Sequence, residues 1–476
     1  MRFSNLDLRQ NLLPTALADL CRASLGITLC VYPVSALCGC GAPKAKHKEG
    51  NVIMSNIRDI SLKAEGHQRI AWAAQHMPVL NEIGKRFERE KPFEGLKIAL
   101  SIHLEAKTAH LVQTLVKGGA ELHVSGSNPL STQDCICAAL VDEGVTVNAI
   151  HASDPATTVS LWKQTLSCHP HIVIDDGSDL IGLLIGECRD YADRVFGGCE
   201  ETTSGVHRLH AWENSGKLPF PVMAINDAHC KCYFDNTYGT GQSCWDGIMR
   251  TTNLQMNGKT VVVAGYGYCG KGIANIARGL NARVIVTEID PIKSILAEMD
   301  GFRAMSMDEA AKLGDIFVTA TACCDVLRPE HFSVMKDGAI VANAGHFNDE
   351  LDVTGLHAMS VAQKELRNNL TGYVLPDGKM ICLVADGGLC NIAAADGHPM
   401  EIMDMSFALQ ALGAEYILKH HATLKPGVHY IPEDLDRQVA ALKLRTMGGS
   451  FDVLNEKQRA YLQGKGIRES ADNCAE

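Results

Sequence analysis

The run Gly265-Tyr-Gly267-Tyr-Cys-Gly270 follows directly on an aliphatic strand pattern, Thr260–Ala264, and leads into a helical stretch, Ile273–Leu280. Glycines at this spacing permit a tight turn and let a pyrophosphate approach a helix amino terminus. A second strand pattern ends in Glu288, about 20 residues further on, where an acid accepts both hydroxyls of a ribose. That carboxylate repels a 2′-phosphate, so the expected cofactor is NAD rather than NADP. The same glycines fit a phosphate loop reaching Gly270-Lys271, but Gly272 stands where magnesium needs Ser or Thr, which excludes a nucleotide hydrolase.

Redox chemistry on a bound substrate also needs a base and polar groups near the cofactor. Four polar runs are candidates: Asp175-Asp176-Gly-Ser-Asp179, Glu200-Glu201-Thr202-Thr203-Ser204-Gly205, Asn226-Asp227, and Lys231 with Asp235-Asn236. Singly, each reads as a capped loop or a solvated turn, and the second is too rich in hydroxyls for a core helix. Their place after strand patterns and at a domain junction points instead to a cleft, because α/β sheets bind ligands beyond the carboxyl ends of their strands. His103, after the strand Lys97–Ile102, and His346, after Ala339–Ala342, stand at equivalent positions.

The elements that must hold these groups alternate strand with helix. One series runs through Lys97–Ile102, a helix over His110–Val116, Glu121–Val124, Val145–Ile150 and His171–Ile174. A second runs through Thr260–Ala264, Arg283–Thr287, Asp315–Thr319 and Ala339–Ala342. The fold class expected is α/β, with two doubly wound parallel-sheet domains, a substrate domain and a Rossmann NAD domain, and a helical C-terminal tail. The expected boundaries are a leader at 1–53 that is disordered or outside the fold, a substrate domain at 54–230, an NAD domain at 231–395, and a hinge return with a docking tail at 396–476. In that tail Ser406–Leu418 and Leu435–Thr446 read as helices with no Gly-rich site.

Composition narrows the class further. The 476 residues carry 44 Lys+Arg against 55 Asp+Glu, a net charge of −11 without a basic block, which argues against a nucleic-acid partner. The apolar run Leu25–Tyr32 is short for a membrane span and is broken by Pro33, so a membrane anchor is not expected. The 18 cysteines are scattered and contain no C-x-x-C, so they read as reduced cytoplasmic thiols; no metal site is expected.

From about residue 57 to about residue 460 the chain resembles the S-adenosyl-L-homocysteine hydrolase family. The matching segments include His103-Leu-Glu-Ala-Lys-Thr-Ala, Asn128 with Ser131-Thr-Gln-Asp134, Asp175-Asp-Gly-x-Asp179, Glu200-Glu-Thr-Thr-Ser-Gly-Val-His207, Lys231 with Phe234-Asp-Asn236, Val263-Ala-Gly-Tyr-Gly267, Thr287-Glu-Ile-Asp-Pro291, Gly345-His-Phe347 and Gly397-His-Pro399. The resemblance is closest to a short, archaeal-like branch that also holds S-inosyl-L-homocysteine hydrolases. It implies a thioether hydrolase that uses bound NAD without net redox change, acting as a homotetramer in the cytoplasm.

The same resemblance implies roles. Lys231 takes the proton of the ribose 3′-hydroxyl, with Asp235 and Glu201 orienting it. Asp176, His103 and His346 serve proton transfers at carbon 4′ and the 5′ position. Thr202, Thr203, Ser204, Asn236 and Asn391 hold the nicotinamide and its ribose, beside Gly265, Gly267, Gly270 and Glu288 for the rest of the cofactor. Glu105 and Lys107 face the purine, and His398 and Phe347 stand at the hinge and gate. A neutral lysine at pH 7 requires desolvation or a neighbouring positive charge, which a nicotinium ring supplies.

Some positions depart from the family. Many members place Thr, then Gln or Glu, where this chain has Glu105 and Lys107. Lysine only donates, which suits a 6-oxo purine better than a 6-amino one, so hydrolysis of S-inosyl-L-homocysteine stands as an alternative to the adenosyl substrate. A pair between Glu105 and Lys107 is the plain alternative to both. Gly388 replaces a common Arg, and Thr240 a Cys near the nicotinamide. A dehydrogenase with net NADH turnover, and a catalytically inactive NAD-binding regulator, complete the alternatives.

Overall fold

Strand and helix alternate as the apolar pattern dictates, and the strands assemble into two sheets. A computed structural model describes residues 55–463; the expected leader and residues 464–476 lie outside these. The strands are β1 (Lys97–Ile102), β2 (Glu121–Gly126), β3 (Thr146–Val147), β4 (Ile172–Asp175), β5 (Gly197–Glu200), β6 (Pro221–Ala224), β7 (Thr260–Ala264), β8 (Arg283–Thr287), β9 (Arg303–Ala304), β10 (Ile316–Thr319), β11 (Ala339–Asn343), β12 (Ala362–Arg367), β13 (Leu370–Val374), β14 (Met380–Val384) and β15 (Gly427–Tyr430).

The first sheet is parallel throughout, in the order β15-β6-β5-β4-β1-β2-β3. The second has the order β12-β13-β14-β11-β10-β7-β8-β9 and is parallel except where β13 pairs with β12 and β14. Both sheets wind outward in two directions from a central pair, β1/β4 in one and β7/β10 in the other, which is the doubly wound arrangement. β1, β7 and β8 have the expected bounds. The pattern Val145–Ile150 shortens to β3, and β5 was not anticipated because its Gly197-Gly198 lacks a strand signature. β12 is exposed along its whole length and carries Lys364, Glu365 and Arg367, which blunts that edge against pairing.

The C-terminal segment behaves differently from a peripheral tail. The helix Met400–His420 contributes Met403, Met405, Phe407, Leu409, Leu412 and Ile417 to the same core as Leu100, Ile102 and Ile174 of the first sheet. β15, in a stretch read as helical, then closes one edge of that sheet against β6. Asp404, fully buried, ties this helix to the start of the helix Pro78–Glu90 by accepting from the Val79 and Leu80 N–H groups at 3.1 and 2.8 Å.

Candidate active site

Loops at the two switch points carry most of the candidate residues. His103 follows β1 and Asp176 follows β4, two strands that pair with each other; Glu201 follows β5. Across the second sheet the glycine loop follows β7 and the loop Ala320–Asp325 follows β10, again a paired couple. A cavity of about 1070 Å³ is lined by residues of both sets.

Lys231 opens a nine-residue π-helix, Lys231–Gly239, at the expected domain junction. Such turns are rare and concentrate at functional sites. The wider turn gathers residues i, i+4 and i+5 into one cluster: Lys231 Nζ lies 2.7 Å from Asp235 Oδ2 and donates to Asn236 Oδ1 at 3.1 Å. Glu201 Oε1 stands 3.2 Å from the same ammonium. Asn236 in turn donates to Asn226 Oδ1 at 3.0 Å, which also accepts from the Thr203 hydroxyl at 3.2 Å.

Electrostatics in this cluster run against a simple neutral lysine. Burial alone lowers the Lys231 pKa, but Asp235 and Glu201 outweigh it and hold the group well above its ordinary value. Burial pushes Asp235 up, yet Lys231 and His398 overcome that and keep it a carboxylate far below the usual range. Glu201 goes the other way: burial dominates the attraction of Lys231 and lifts its carboxyl to about 7. Desolvation therefore does not neutralise Lys231, so a positive charge beside it is the remaining means. Glu201, in contact with Lys231 and titrating near neutrality, is placed to exchange a proton with it.

The second cluster is His103, Asp176 and His346. His103 Nε2 lies 3.4 Å from Asp176 Oδ2 and His346 Nδ1 lies 3.9 Å from Asp176 Oδ1. The Ser131 hydroxyl lies 2.8 Å from the Asn128 carbonyl and 2.7 Å from His103 Nδ1; when it donates to the carbonyl it accepts from Nδ1–H. With that rotamer, neutral His103 carries its proton on Nδ1 and Nε2 can take one; with the hydroxyl turned to Nδ1, the proton sits on Nε2 and faces the Asp176 carboxylate. Burial lowers His103 to about 4, which keeps the ring neutral at pH 7. Burial would raise Asp176, but His103, His346 and the Ser127 hydroxyl at 2.9 Å hold it below the ordinary carboxylate value. The three donor atoms lie within 4.8 Å of one another, compact enough to hold a cation as well as to move protons.

Beneath Asp176 sits a buried acid pair. Glu200 accepts from the Gly177 N–H at 2.8 Å, the Thr202 N–H at 3.0 Å and the Ser178 hydroxyl at 2.6 Å. One carboxyl thus ties the loop of Asp176 to the loop of Glu201. Burial and Asp175 raise Glu200 well above its ordinary value, while burial and Asp179 lift Asp175 to about 8.

The cofactor half fits a dinucleotide. Gly265 has a φ of 93°, and a Cβ there would meet the Ala320 carbonyl oxygen at 2.6 Å; a Cβ on Gly267 would meet nothing within 4 Å, leaving the loop open to a ligand. Glu288 is held by the Tyr266 N–H at 2.8 Å and the Ile289 N–H at 2.8 Å. Ser204 Oγ and Asn391 Oδ1 are buried and have no partner, as polar groups awaiting a ligand would be. Both line the cavity. Ser204 lies in the first turn of the helix Thr203–Asn214, so the hydroxyl-rich run does form a helix, with its polar start in the cleft.

Of the residues given catalytic, cofactor, substrate or gating roles above, all except Gly270 and Phe347 line this one cavity: His103, Glu105, Lys107, Asp176, Glu201, Thr202, Thr203, Ser204, Lys231, Asp235, Asn236, Gly265, Gly267, Glu288, His346, Asn391 and His398. Gly270 instead lies inside the helix Tyr268–Gly279, where a Cβ would stand 1.9 Å from the Gly265 carbonyl oxygen, so its part is close packing. Phe347 is partly exposed, stacked edge-on against His346 at 4.7 Å. His398 bonds Asp235 and reaches Asn391 Nδ2 at 3.0 Å and the Thr240 hydroxyl at 3.3 Å. Lys107 Nζ pairs with Glu105 Oε2 at 2.9 Å and donates to the Asp396 carbonyl at 3.1 Å.

Besides Ser127, two residues on the Lys231 cluster escaped the sequence reading. The Ser406 hydroxyl donates to Asp235 Oδ2 at 2.6 Å and Gln410 Nε2 donates to Glu201 Oε2 at 2.5 Å, both from the helix Met400–His420. The available signal was two polar residues four apart within an apolar helical run.

Comparison with known proteins places the chain in one family. Residues 54–193 match the family model "S-adenosyl-L-homocysteine hydrolase", and residues 236–397 match its "NAD binding domain". An S-inosyl-L-homocysteine hydrolase of Methanocaldococcus jannaschii is 53% identical over 410 residues, 86% of this chain and 99% of the relative. An adenosylhomocysteinase of Pyrococcus abyssi is 53% identical over 407 residues, 86% of this chain and 96% of the relative. An adenosylhomocysteinase of Aquifex aeolicus is 52% identical over 408 residues, covering 86% and 98%.

Proposed function

Because the chain belongs to the S-adenosyl-L-homocysteine hydrolase family, we propose that it catalyses the reversible hydrolysis of S-adenosyl-L-homocysteine to adenosine and L-homocysteine. The observation that carries the reading is the convergence of the Lys231 cluster and the His103–Asp176–His346 cluster on one cavity with the dinucleotide loop. A plain dehydrogenase has no use for the second cluster. Direct displacement of a thiolate from an unactivated carbon is slow, and a transient 3′-ketone makes the proton on carbon 4′ acidic enough for elimination. NAD, when bound, supplies reversible hydride acceptance for that oxidation.

The chain's own groups do the rest. Lys231 removes the 3′-hydroxyl proton, and Asp235 and Glu201 fix the lysine and the ribose hydroxyls. His103, braced by Ser131, and Asp176 handle the carbon 4′ proton, while His346 serves the leaving sulfur and the incoming water. Gly265, Gly267 and Glu288 hold the adenosine side of the cofactor, and Thr202, Thr203, Ser204, Asn236 and Asn391 its nicotinamide side.

A second reading, S-inosyl-L-homocysteine as substrate, rests on Lys107. Its ammonium uses two donors, on Glu105 and the Asp396 carbonyl, and keeps a third. That third donor suits a 6-oxo group. The relatives' identities, 53% to each type, favour neither purine. Thiol release from the two substrates, measured for the wild-type chain and for Lys107→Gln, tests both readings. The adenosyl reading expects faster release from the adenosyl compound. If the inosyl reading holds, Lys107→Gln shifts preference toward the adenosyl compound, and an unchanged ratio sinks it. No thiol release from either substrate, with NAD bound, would leave an inactive regulator.

The same reading carries a homotetramer and a cytoplasmic location. Free cysteines throughout the described residues support a reducing compartment, and no helix among those residues is long and apolar enough to cross a membrane.

A further inference from the structure

Cys323 and Cys324 are adjacent and both exposed, whereas the other cysteines among the described residues are buried or, for Cys269, half-buried. They lie in the loop after β10, and the backbone around them is pinned. The Glu350 carboxylate accepts from the Thr321 and Ala322 N–H groups at 3.0 and 2.8 Å, and the Asp325 N–H donates to the Asp349 carbonyl at 2.8 Å. Ala322 and Asp325, on either side of the pair, both hold left-handed φ values, 55° and 51°. The loop also abuts the glycine turn: Thr321 Cγ2 stands 3.2 Å from where a Cβ on Gly265 would be. Both thiols line the cavity that Gly267 and Glu288 line. Neither has a part in the reaction proposed above.

Two adjacent Cα atoms are only about 3.8 Å apart, short of the 4.4 Å or so that an unstrained disulfide needs. Oxidation of the pair to a ring is therefore disfavoured, and the dithiol persists. Soft sulfur ligands prefer soft acceptors, and an acceptor atom bridging the two sulfurs removes the need for an S–S bond. We propose that Cys323 and Cys324 form a dithiol site for trivalent organoarsenicals and like thiophilic centres at the mouth of the NAD cavity, and that its occupation and NAD binding exclude one another. In the capture step an arsenoxide, R–As=O, meets both S–H groups. Two As–S bonds form, the As=O bond breaks, and the oxygen leaves as water with the two thiol protons, so arsenic stays trivalent and nothing is oxidised.

The test uses the full-length, NAD-loaded protein and phenylarsine oxide. Adducts are counted by intact mass and mapped on peptides, and released NAD is quantified by chromatography. The expected result is a single bridging adduct on Cys323–Cys324 that a dithiol removes and a monothiol does not, with NAD released in proportion. At equilibrium the adduct should form at about tenfold lower arsenoxide concentration on NAD-free protein, since exclusion is reciprocal in affinity. The Cys323→Ser/Cys324→Ser double variant should lose that adduct while still holding NAD, which also reports its folding. Persistence of the same adduct in the double variant, or its mapping to other cysteines, overturns the site. Full retention of NAD by the arsenylated chain overturns the exclusion. Because bound NAD is read directly, either failure leaves the cofactor assignment standing.

Discussion

Ser131, which lines the cavity, contacts a proposed proton-transfer group and so tests how far a supporting hydroxyl matters. When its single hydroxyl proton goes to the Asn128 carbonyl, it accepts from His103 Nδ1–H and the ring presents an unprotonated Nε2 to the cleft. Ser131→Ala removes that contact. The expected loss in kcat is about ten- to a hundred-fold with KM little changed, and Ser131→Thr should restore much of it. Steady-state kinetics of the three proteins check this; an equal rise in KM would point to a collapsed pocket instead. Glu201 makes a separate prediction about stability. Its folded pKa, raised to about 7 mainly by burial, exceeds its unfolded value, so between those values the native state holds the extra proton. Stability is then lost as pH rises through that window. Glu201→Gln removes the titration, so its melting temperature should gain on that of the wild type between about pH 5 and pH 8. A constant difference across that range would refute the assignment.

At the scale of elements, the contact between the helix Tyr268–Gly279 and the π-helix decides whether Lys231 and the cofactor loop share a site. Gly272 lets the two approach, since a Cβ there would stand 1.9 Å from the Thr237 carbonyl oxygen, and Gly241 similarly meets the Gly272 backbone at 2.8 Å. Gly279, at the end of the same helix, has open space around it. Gly272→Ala should therefore cost about 1–3 kcal/mol and lower NAD occupancy, because backbone has to move. Gly279→Ala should be neutral or stabilise by up to about 1 kcal/mol. Denaturant melts of the pair check the contrast, and similar values for both would contradict the packing. This contact also shows what the sequence conveys and what it withholds. Strand β7, the glycine turn and Glu288 are legible because each follows a local pattern whose period and spacing have a mechanical reason. The π-helix is not, since Lys231–Gly239 has no distinguishing period and its extra residue per turn is imposed by the groups it gathers. β5 and β6 were missed because Gly197-Gly198 and Pro221 remove the strand signature from runs of only four residues, whereas the equally short β4 and β10 carry Ile, Val and Phe.

For the whole molecule, the decisive feature is that the chain leaves the first sheet after β6, builds the second, and returns. The site residues legible in the sequence all precede Pro399, and a reading confined to motifs makes the remainder an accessory. Ser406 and Gln410 were hidden because their partners, Asp235 and Glu201, are remote in sequence and no local signal records such pairings. Energetics give the returning helix a larger part. Its six largest core side chains, Met403, Met405, Phe407, Leu409, Leu412 and Ile417, are buried in the first sheet's core. At about 1.5–3 kcal/mol each, their burial exceeds roughly 9 kcal/mol, comparable to the whole net stability of a typical domain. A chain ending at Pro399 keeps every residue proposed for proton transfer and for NAD, yet should lack a cooperative melting transition for the first sheet and be cleaved rapidly there by protease. Circular dichroism melts and limited proteolysis with peptide mapping measure both. If that fragment melted cooperatively and resisted cleavage between residues 97 and 224, the returning helix would be a peripheral dock, and the first core would have to be self-sufficient without it.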